Sequence, residues 1–134
     1  MMLVDTYLDK SSIEGIGIFA KTDIPMHTKL WEFSGIDMKI PVDIMSQLTE
    51  RDKAYVLKYA YREGEHYVLC ADNGKHMNHS TTPNTHETLN YTVSTTDIKA
   101  GEEITCNYEA FDDDFDPNEF TTLTTTETDG DKSK

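Results

Sequence analysis

Several kinds of residue and segment are scarce in this sequence of 134 residues, and each scarcity excludes a class of protein. Two cysteines, Cys70 and Cys106, are too few for a disulfide scaffold, so we expect a reducing, cytoplasmic setting. The start of the sequence lacks a signal-peptide pattern, and no apolar run has the length of a membrane helix, so we expect neither secretion nor a membrane partner. Arg51 and Arg62 are the only arginines, which argues against direct binding of a nucleic acid.

Negative charge, in contrast, is abundant. The formal net charge is −13, which favours a cationic peptide or small molecule as partner. Solubility, or adaptation to a salty cytoplasm, explains the same charge equally well. Acidic and threonine-rich residues dominate from position 112 onward, so we divide the chain into a domain at 1–111 and a partly disordered tail at 112–134.

Short apolar segments separated by turns predict a mostly β domain with one helical insert at about 41–62. Within the insert, Thr49 has the character of a helix N-cap. The apolar spacing that follows predicts that Ala54, Leu57 and Tyr61 face inward. We expect Trp31, in an earlier strand, to belong to the core.

Four short motifs are spread along the domain and occur in a fixed order. They are Gly15-Ile16-Gly17-Ile18-Phe19-Ala20, Glu32-Phe33-Ser34-Gly35, Asn78-His79-Ser80 with Pro83-Asn84, and Gly101-Glu102-Glu103-Ile104-Thr105-Cys106-Asn107-Tyr108. Paired glycines before a strand allow the backbone to approach a ligand closely, although a simple bulge accounts for them equally well. Asn, His and Ser between apolar strands predict a hydrogen-bonded loop.

Together the four motifs resemble the SET domain, the family of protein-lysine methyltransferases that use S-adenosylmethionine. The resemblance covers roughly residues 3–111. It implies a β-clip (SET) fold of small curled sheets, in which the last strand threads through the loop closed by Asn78-His79-Ser80 and forms a pseudoknot.

The resemblance implies a site for S-adenosylmethionine formed by Gly15, Ile16, Gly17, Tyr61, Asn78, His79 and Phe111. In that site the glycine segment would lie along the methionine part of the cofactor, and Asn78 would bond its amino-acid end. The backbone at His79 would meet the adenine, and its imidazole would brace the knot. Phe111, with Phe115 as the alternative, would stack on the adenine.

By the same resemblance, the hydroxyl of Tyr108 would orient the transferring methyl group, and Tyr59 would line the substrate channel. Three departures from the family pattern stand out. Cys106 replaces an aromatic residue, which suggests a roomier channel that permits more than one methylation. His76 replaces another aromatic residue. No cysteine cluster follows Tyr108, so the channel must be closed by residues 111–120 or by a second subunit, which leaves a homodimer open.

Two other readings compete with the enzyme. Cys70, His76, His79 and His86 lie close in sequence and have some of the character of metal ligands, but no Cys-x-x-Cys pair accompanies them, and we predict no metal site. The second alternative is a SET-like module that binds S-adenosylmethionine or basic peptides without methylating them.

Overall fold

The computed structural model describes residues 1–88 and 90–116, and within them short β-strands form four small sheets. The strands are β1 (Thr6–Lys10), β2 (Ile16–Ala20), β3 (Lys29–Glu32), β4 (Met38–Pro41), β5 (Tyr61–Glu63), β6 (His66–Leu69), β7 (Asn78–His79), β8 (Thr85–Thr88), β9 (Tyr91–Ser94) and β10 (Thr105–Cys106). The helices are α1 (Glu50–Tyr59) and 3-10 turns at Val42–Gln47, Asn73–His76 and Tyr108–Ala110. The mostly β fold class predicted from the sequence is therefore confirmed.

Two three-stranded antiparallel sheets form the body of the domain. Their strand orders are β3-β9-β8 and β4-β6-β5. Between β8 and β9 the predicted turn is present, and Asn90 adopts a φ of 75° there. Strand β4 lies just before the helical insert, where the sequence analysis placed no strand, and it pairs with β6 from Met38↔Leu69 to Pro41↔His66.

The hairpin of β1 and β2 presents the glycine motif at its turn. The two strands pair from Thr6↔Ala20 to Lys10↔Ile16. Gly15 has a φ of 49°, a left-handed conformation that glycine adopts without steric cost. Alternation along β2 turns Ile18 and Ala20 into the interior, where both are fully buried.

The main hydrophobic core lies between this hairpin and the C-terminal strand. Its buried members are Ile18, Ala20, Ile24, Leu30, Met77, Ile98, Ile104 and Cys106. Trp31 is also buried, with 4% of its surface exposed, as predicted. The core therefore includes Met77 and Cys106, which flank the Asn-His-Ser motif in space.

Helix α1 begins as predicted but turns a different face inward. The Thr49 hydroxyl accepts the backbone N–H of Asp52 at 3.1 Å. The predicted inward positions Ala54 and Leu57 are wrong, because both are exposed, while Val56 is buried. The reason is that this ten-residue helix buries Val56 and its C-cap Ala60, which cluster with Tyr67 and the partly buried side chains around it.

Tyr61, the third residue predicted on the inward face of the helix, begins β5 instead and is half-buried. The helix has already ended at Tyr59. Across the parts of the chain that the structure describes, no helix combines the length and apolar character needed to cross a membrane.

The first residues of the predicted tail pack against the domain. The Asp112 carboxylate accepts the backbone N–H of Arg62 at 3.0 Å, and the Asp113 carboxylate accepts that of Gly64 at 2.8 Å. The Tyr67 hydroxyl donates to Asp114 at 2.8 Å. Asp112–Asp114 are thus bound to the β5–β6 hairpin, whereas the rest of the predicted tail, 117–134, lies outside the described residues.

Candidate active site

The centre of the candidate site is the parallel pair of β7 and β10. Thr105 lies opposite Asn78 and Cys106 opposite His79. The pair continues with a hydrogen bond from the Ser80 N–H to the Cys106 carbonyl at 2.8 Å. The Asn-His-Ser motif therefore lies along one side of the C-terminal strand.

Asn84 and Thr85 hold the opposite side of the same strand. The Asn84 amide donates to the Glu103 carbonyl and accepts the Thr105 N–H, both at 2.9 Å. The Thr85 hydroxyl donates to the Thr105 carbonyl at 2.7 Å. Because residues 78–80 and 84–85 bond the strand from both sides, the strand passes through the loop that joins them, and this is the predicted pseudoknot.

His79 braces this knot through its side chain. Its Nδ1 accepts the backbone N–H of Tyr108 at 3.0 Å, which requires Nδ1 to be unprotonated. Burial lowers the pKa of this histidine, with a smaller opposing effect of Glu109, so the neutral form is favoured. The imidazole also lies against the rings of Tyr108, at 5.2 Å between centroids, and Phe115, at 5.1 Å.

The side chains of Asn78 and Glu103 lie against the glycine segment. The Asn78 Nδ2 donates to the Glu103 carboxylate at 2.9 Å and to the Glu14 carbonyl at 3.1 Å. Ser11 Oγ also donates to that carboxylate, at 2.8 Å. A Cβ at Gly17 would collide with the Glu103 carboxylate and approach Asn78 Nδ2 to 3.2 Å. We call this arrangement of Ser11, Gly15–Gly17, Asn78 and Glu103 the ledge.

One atom of the ledge remains available for a ligand. Among the described residues, the structure gives Asn78 Oδ1 no hydrogen bond, whereas Nδ2 has several acceptors. An amide oxygen in this position can accept a hydrogen bond from an ammonium group.

An aromatic pocket lies on the other side of the knot. It is lined by Trp31, Tyr59, Tyr61, Cys70, Gly74, Lys75, Met77, Glu87, Thr92, Cys106, Tyr108 and Phe111. Five of the predicted site residues meet here, namely Tyr59, Tyr61, Cys106, Tyr108 and Phe111. The other predicted site residues, Gly15, Ile16, Gly17, Asn78 and His79, lie on or beside the ledge.

Tyr108 lines the pocket with its hydroxyl tethered to the backbone. Its hydroxyl donates to the Met77 carbonyl at 2.8 Å. Burial raises its pKa well above the usual 10, and the nearby Cys106 contributes in the same direction. Tyr108 is therefore a neutral phenol at physiological pH.

The remaining aromatic residues form the walls. Phe111 packs edge-on against Tyr61, with 4.9 Å between ring centroids, and also contacts Tyr108 at 6.0 Å. Tyr59 contacts His76 at 5.5 Å. Phe111 thus lies in the pocket wall, and it is Phe115 that lies on the ring of His79.

Sequence reasoning missed Glu87, the one carboxylate in the pocket lining. Trp31 lies opposite Thr92, and Glu87 lies opposite Thr92 on the other side, so the three form one row across β3, β9 and β8. The Thr92 hydroxyl donates to Glu87 Oε2 at 2.6 Å. Burial raises the pKa of Glu87 to about 7. The sequence could have indicated this position, because Glu87 is two residues from the inward-facing Thr85 and alternate residues of a strand share a face.

The candidate metal ligands do not assemble. Within residues 1–88 and 90–116, no three His, Cys, Asp or Glu side chains lie close enough together to hold a metal ion. Cys70 lines the pocket, whereas the His79 imidazole is engaged by the backbone N–H of Tyr108.

Comparisons with known proteins agree with this geometry. A family model described as the SET domain matches residues 15–109, which is most of the chain. No curated protein matches it. A Plasmodium falciparum structure named as a histone methyltransferase has a TM-score of 0.57 and 21% identity, covering 80% of this chain and 95% of that one.

A second similar structure is a humanised Chaetomium thermophilum Polycomb Repressive Complex 2 bound to an inhibitor. Its TM-score is 0.60 at 24% identity, and the match covers 81% of this chain but only 15% of that one. The same complex in an autoinhibited apo state gives a TM-score of 0.62 at 22% identity, covering 92% of this chain and 17% of that one. The chain thus spans about a sixth of the Polycomb chains that it matches, and the similarity concerns the fold.

Proposed function

Because the chain belongs to the SET domain family, we propose that it is a protein-lysine N-methyltransferase that takes its methyl group from S-adenosylmethionine. The observation that carries the proposal is that the ledge and the aromatic pocket meet at one strand pair. Asn78 belongs to the ledge, and its neighbour Met77 lines the pocket. Tyr108, whose backbone N–H donates to His79, also lines the pocket. A donor on one side and a lysine on the other would be held in line, which is the main requirement of methyl transfer.

The residues of the ledge fit the amino-acid end of the cofactor. Asn78 Oδ1 can accept a hydrogen bond from its ammonium group, while Nδ2 of the same amide donates to the backbone carbonyls of Glu14 and Ile16 in the glycine segment. We assign cofactor binding to Gly15, Ile16, Gly17, Asn78 and His79, with Phe115 or Phe111 at the adenine. Bound there, S-adenosylmethionine supplies an electrophilic methyl group on a positively charged sulfur.

The pocket residues would guide the lysine. Tyr59, Tyr61 and Phe111 offer flat apolar walls to the four methylene groups of a lysine side chain, which remain apolar up to the nitrogen. Tyr108 is held rigidly by its bond to Met77, so its phenol oxygen is a fixed electronegative atom beside the reacting centre. Its role is orientation, because its raised pKa keeps the phenol protonated, so that it already holds the proton that a base would accept.

The substrate class follows from charge. With a formal net charge of −13, the protein attracts basic segments and repels polyanions. The Plasmodium falciparum neighbour is named as a histone methyltransferase, which supports a lysine-rich protein as substrate. Phe111 from the same chain already forms part of the pocket wall, so this wall does not depend on a second subunit.

Transfer of radiolabelled methyl groups from S-adenosylmethionine to core histones, with lysine-acetylated histones as the blank, tests the proposal. We expect label in lysine only, and at least a tenfold lower rate in Tyr108→Phe. That variant loses one hydrogen bond, which costs about 1 kcal/mol, so it should stay folded. Tyr7→Phe, in the hairpin away from the pocket, is the matched control. An unlabelled product with intact cofactor binding would instead favour a SET-like binding module.

A further inference from the structure

Glu87 is placed where packing alone gives no reason for a carboxylate. It projects from β8 into a pocket whose other walls are mostly aromatic and sulfur-bearing side chains. Its Oε2 is held by Thr92 at 2.6 Å, while Oε1 has no hydrogen bond among the described residues. A carboxylate in such surroundings is costly unless a partner compensates for its lost hydration.

Within the part of the chain that the structure describes, no basic side chain forms an ion pair with Glu87. Lys75 also lines the pocket, but it is not within salt-bridge distance of Glu87. The partner that fits is therefore a ligand. Since the pocket is largely apolar along its walls and acidic at one point, it suits a cation on an unbranched aliphatic chain.

Glu87 shares the pocket with Cys106 and Tyr108. Both Cys106 and Glu87 line it, from β10 and β8, and the two strands are held together by the bond from the Thr85 hydroxyl to the Thr105 carbonyl.

Building on the proposed methyltransferase function, the geometry points to Glu87 as the residue that binds the ammonium group of the substrate lysine and accepts its proton before transfer. The lysine N–H bond breaks, the proton passes to Oε1 of the carboxylate, and the nitrogen keeps the electron pair. That pair then forms the bond to the methyl carbon as the carbon–sulfur bond breaks, and the sulfur retains the electrons of the broken bond. Glu87 subsequently returns the proton to solvent.

The pKa of Glu87 lies near neutrality, and the shifted pKa values of the groups around it do not. Burial raises the pKa of Tyr61, on β5, and of Tyr108, after β10, well above 10, and it raises that of Cys70, after β6, to about 12. The Cys106 thiol is buried, and burial lowers the pKa of His76, behind Tyr59. Because the pKa of Glu87 is about 7, its ionised fraction rises roughly tenfold between pH 6 and pH 8.

The first arm of the test uses n-butylammonium chloride as a lysine side-chain probe, with n-butanol as its neutral counterpart. Binding is followed by NMR from the pocket aromatic signals in wild type, Glu87→Gln and Glu65→Gln, and also from the Glu87 carboxyl signal in wild type and Glu65→Gln. Glu65 is an exposed acid in the β5–β6 turn and serves as the matched control.

We expect wild type and Glu65→Gln to bind the ammonium probe roughly tenfold more tightly at pH 8 than at pH 6. Glu87→Gln should bind it at least tenfold more weakly at pH 8 and bind n-butanol as wild type does. Equal affinity of Glu87→Gln and wild type for n-butylammonium, or no binding by wild type, would overturn the inference.

The second arm measures methylation of core histones as a function of pH. Wild type should lose activity from pH 8 to pH 6, and Glu87→Gln should lower kcat at least tenfold and flatten that profile. An unchanged kcat and profile in Glu87→Gln would overturn the acceptor role. If wild type methylates no histone but binds n-butylammonium, and Glu87→Gln does not bind it, the proposed function and the acceptor role fail together, while the ammonium site stands.

Discussion

Gly17→Ala is expected to destabilise the protein by disrupting the hydrogen bonds to Glu103 in the ledge. The added methyl group would collide with the Glu103 carboxylate, which cannot stay where Ser11 and Asn78 hold it at 2.8 and 2.9 Å. Each hydrogen bond to a charged group contributes about 1.5–3 kcal/mol, so losing both costs about 3–6 kcal/mol. Alanine also stiffens the unfolded chain, which returns about 0.4–1 kcal/mol. The net expected loss is at least about 2 kcal/mol.

Two other glycines serve as matched controls in the same urea-unfolding assay. A Cβ at Gly35 would meet no atom within 4 Å, so Gly35→Ala should change the free energy of unfolding by less than about 0.5 kcal/mol. Gly15 is equally open, but its φ of 49° should make Gly15→Ala cost about 1–2 kcal/mol. The expected order of destabilisation is therefore Gly17, Gly15, Gly35.

A double-mutant cycle identifies the cause of the Gly17 effect. If the collision with Glu103 is responsible, Gly17→Ala should cost less in a Glu103→Ala background than in wild type. A Gly17→Ala variant as stable as Gly35→Ala would refute the reasoning, as would a cost that persists in full when Glu103 is absent.

Three further predictions concern the helix, the pocket acid and the channel. Thr49→Ala should lower the free energy of unfolding by about 0.5–2 kcal/mol, since it removes the N-cap of α1, and thermal or urea unfolding checks this. Glu87 has a raised pKa in the folded protein, so its protonation stabilises the fold below pH 4.5, and that stabilisation is lost as the pH rises through about 7. Glu87→Gln should therefore flatten the pH dependence of urea stability between those values, and an unchanged slope would show that Glu87 is not the titrating group. Cys106→Tyr should restrict the product to monomethyl-lysine by filling the buried space at that position, as read by mass spectrometry; multiple methylation in this variant would contradict the channel argument.

The knot could be predicted from the sequence, but only through its motifs. Composition and periodicity indicate a β domain with a helical insert. They carry no information about which strand passes through which loop. That information resides in His79 and Asn84, whose side chains bond the backbone of the C-terminal segment from both sides.

The acids were the least predictable residues. Glu87 escaped notice because glutamate on a short strand is normally solvent-exposed, although its spacing from Thr85 and its register opposite Thr92 place it on the pocket face. Asp112–Asp114 were assigned to a solvated tail on composition, yet their carboxylates accept hydrogen bonds from the hairpin. A local pattern cannot show such acceptors, since their donors lie about fifty residues earlier in the chain.

The inward face of α1 was mispredicted for a related reason. Leu57 was assigned to the interior by its hydrophobicity, but it is 52% exposed. The helix contacts its neighbours along one narrow edge, and the position of Tyr67 decides which edge that is. Tertiary contact therefore overrides the apolar spacing of so short a helix.

Calorimetric titration of S-adenosylmethionine into wild type and Asn78→Ala tests the central claim most directly. We expect saturable binding by wild type, in the micromolar range. Asn78→Ala should abolish it, because the variant removes both the free Oδ1 and the support of the ledge. Thr49→Ala, which weakens a helix remote from the ledge, controls for lost stability and should bind normally. Equal binding by wild type and Asn78→Ala, or no binding by wild type, would contradict the assignment of the ledge as the cofactor site.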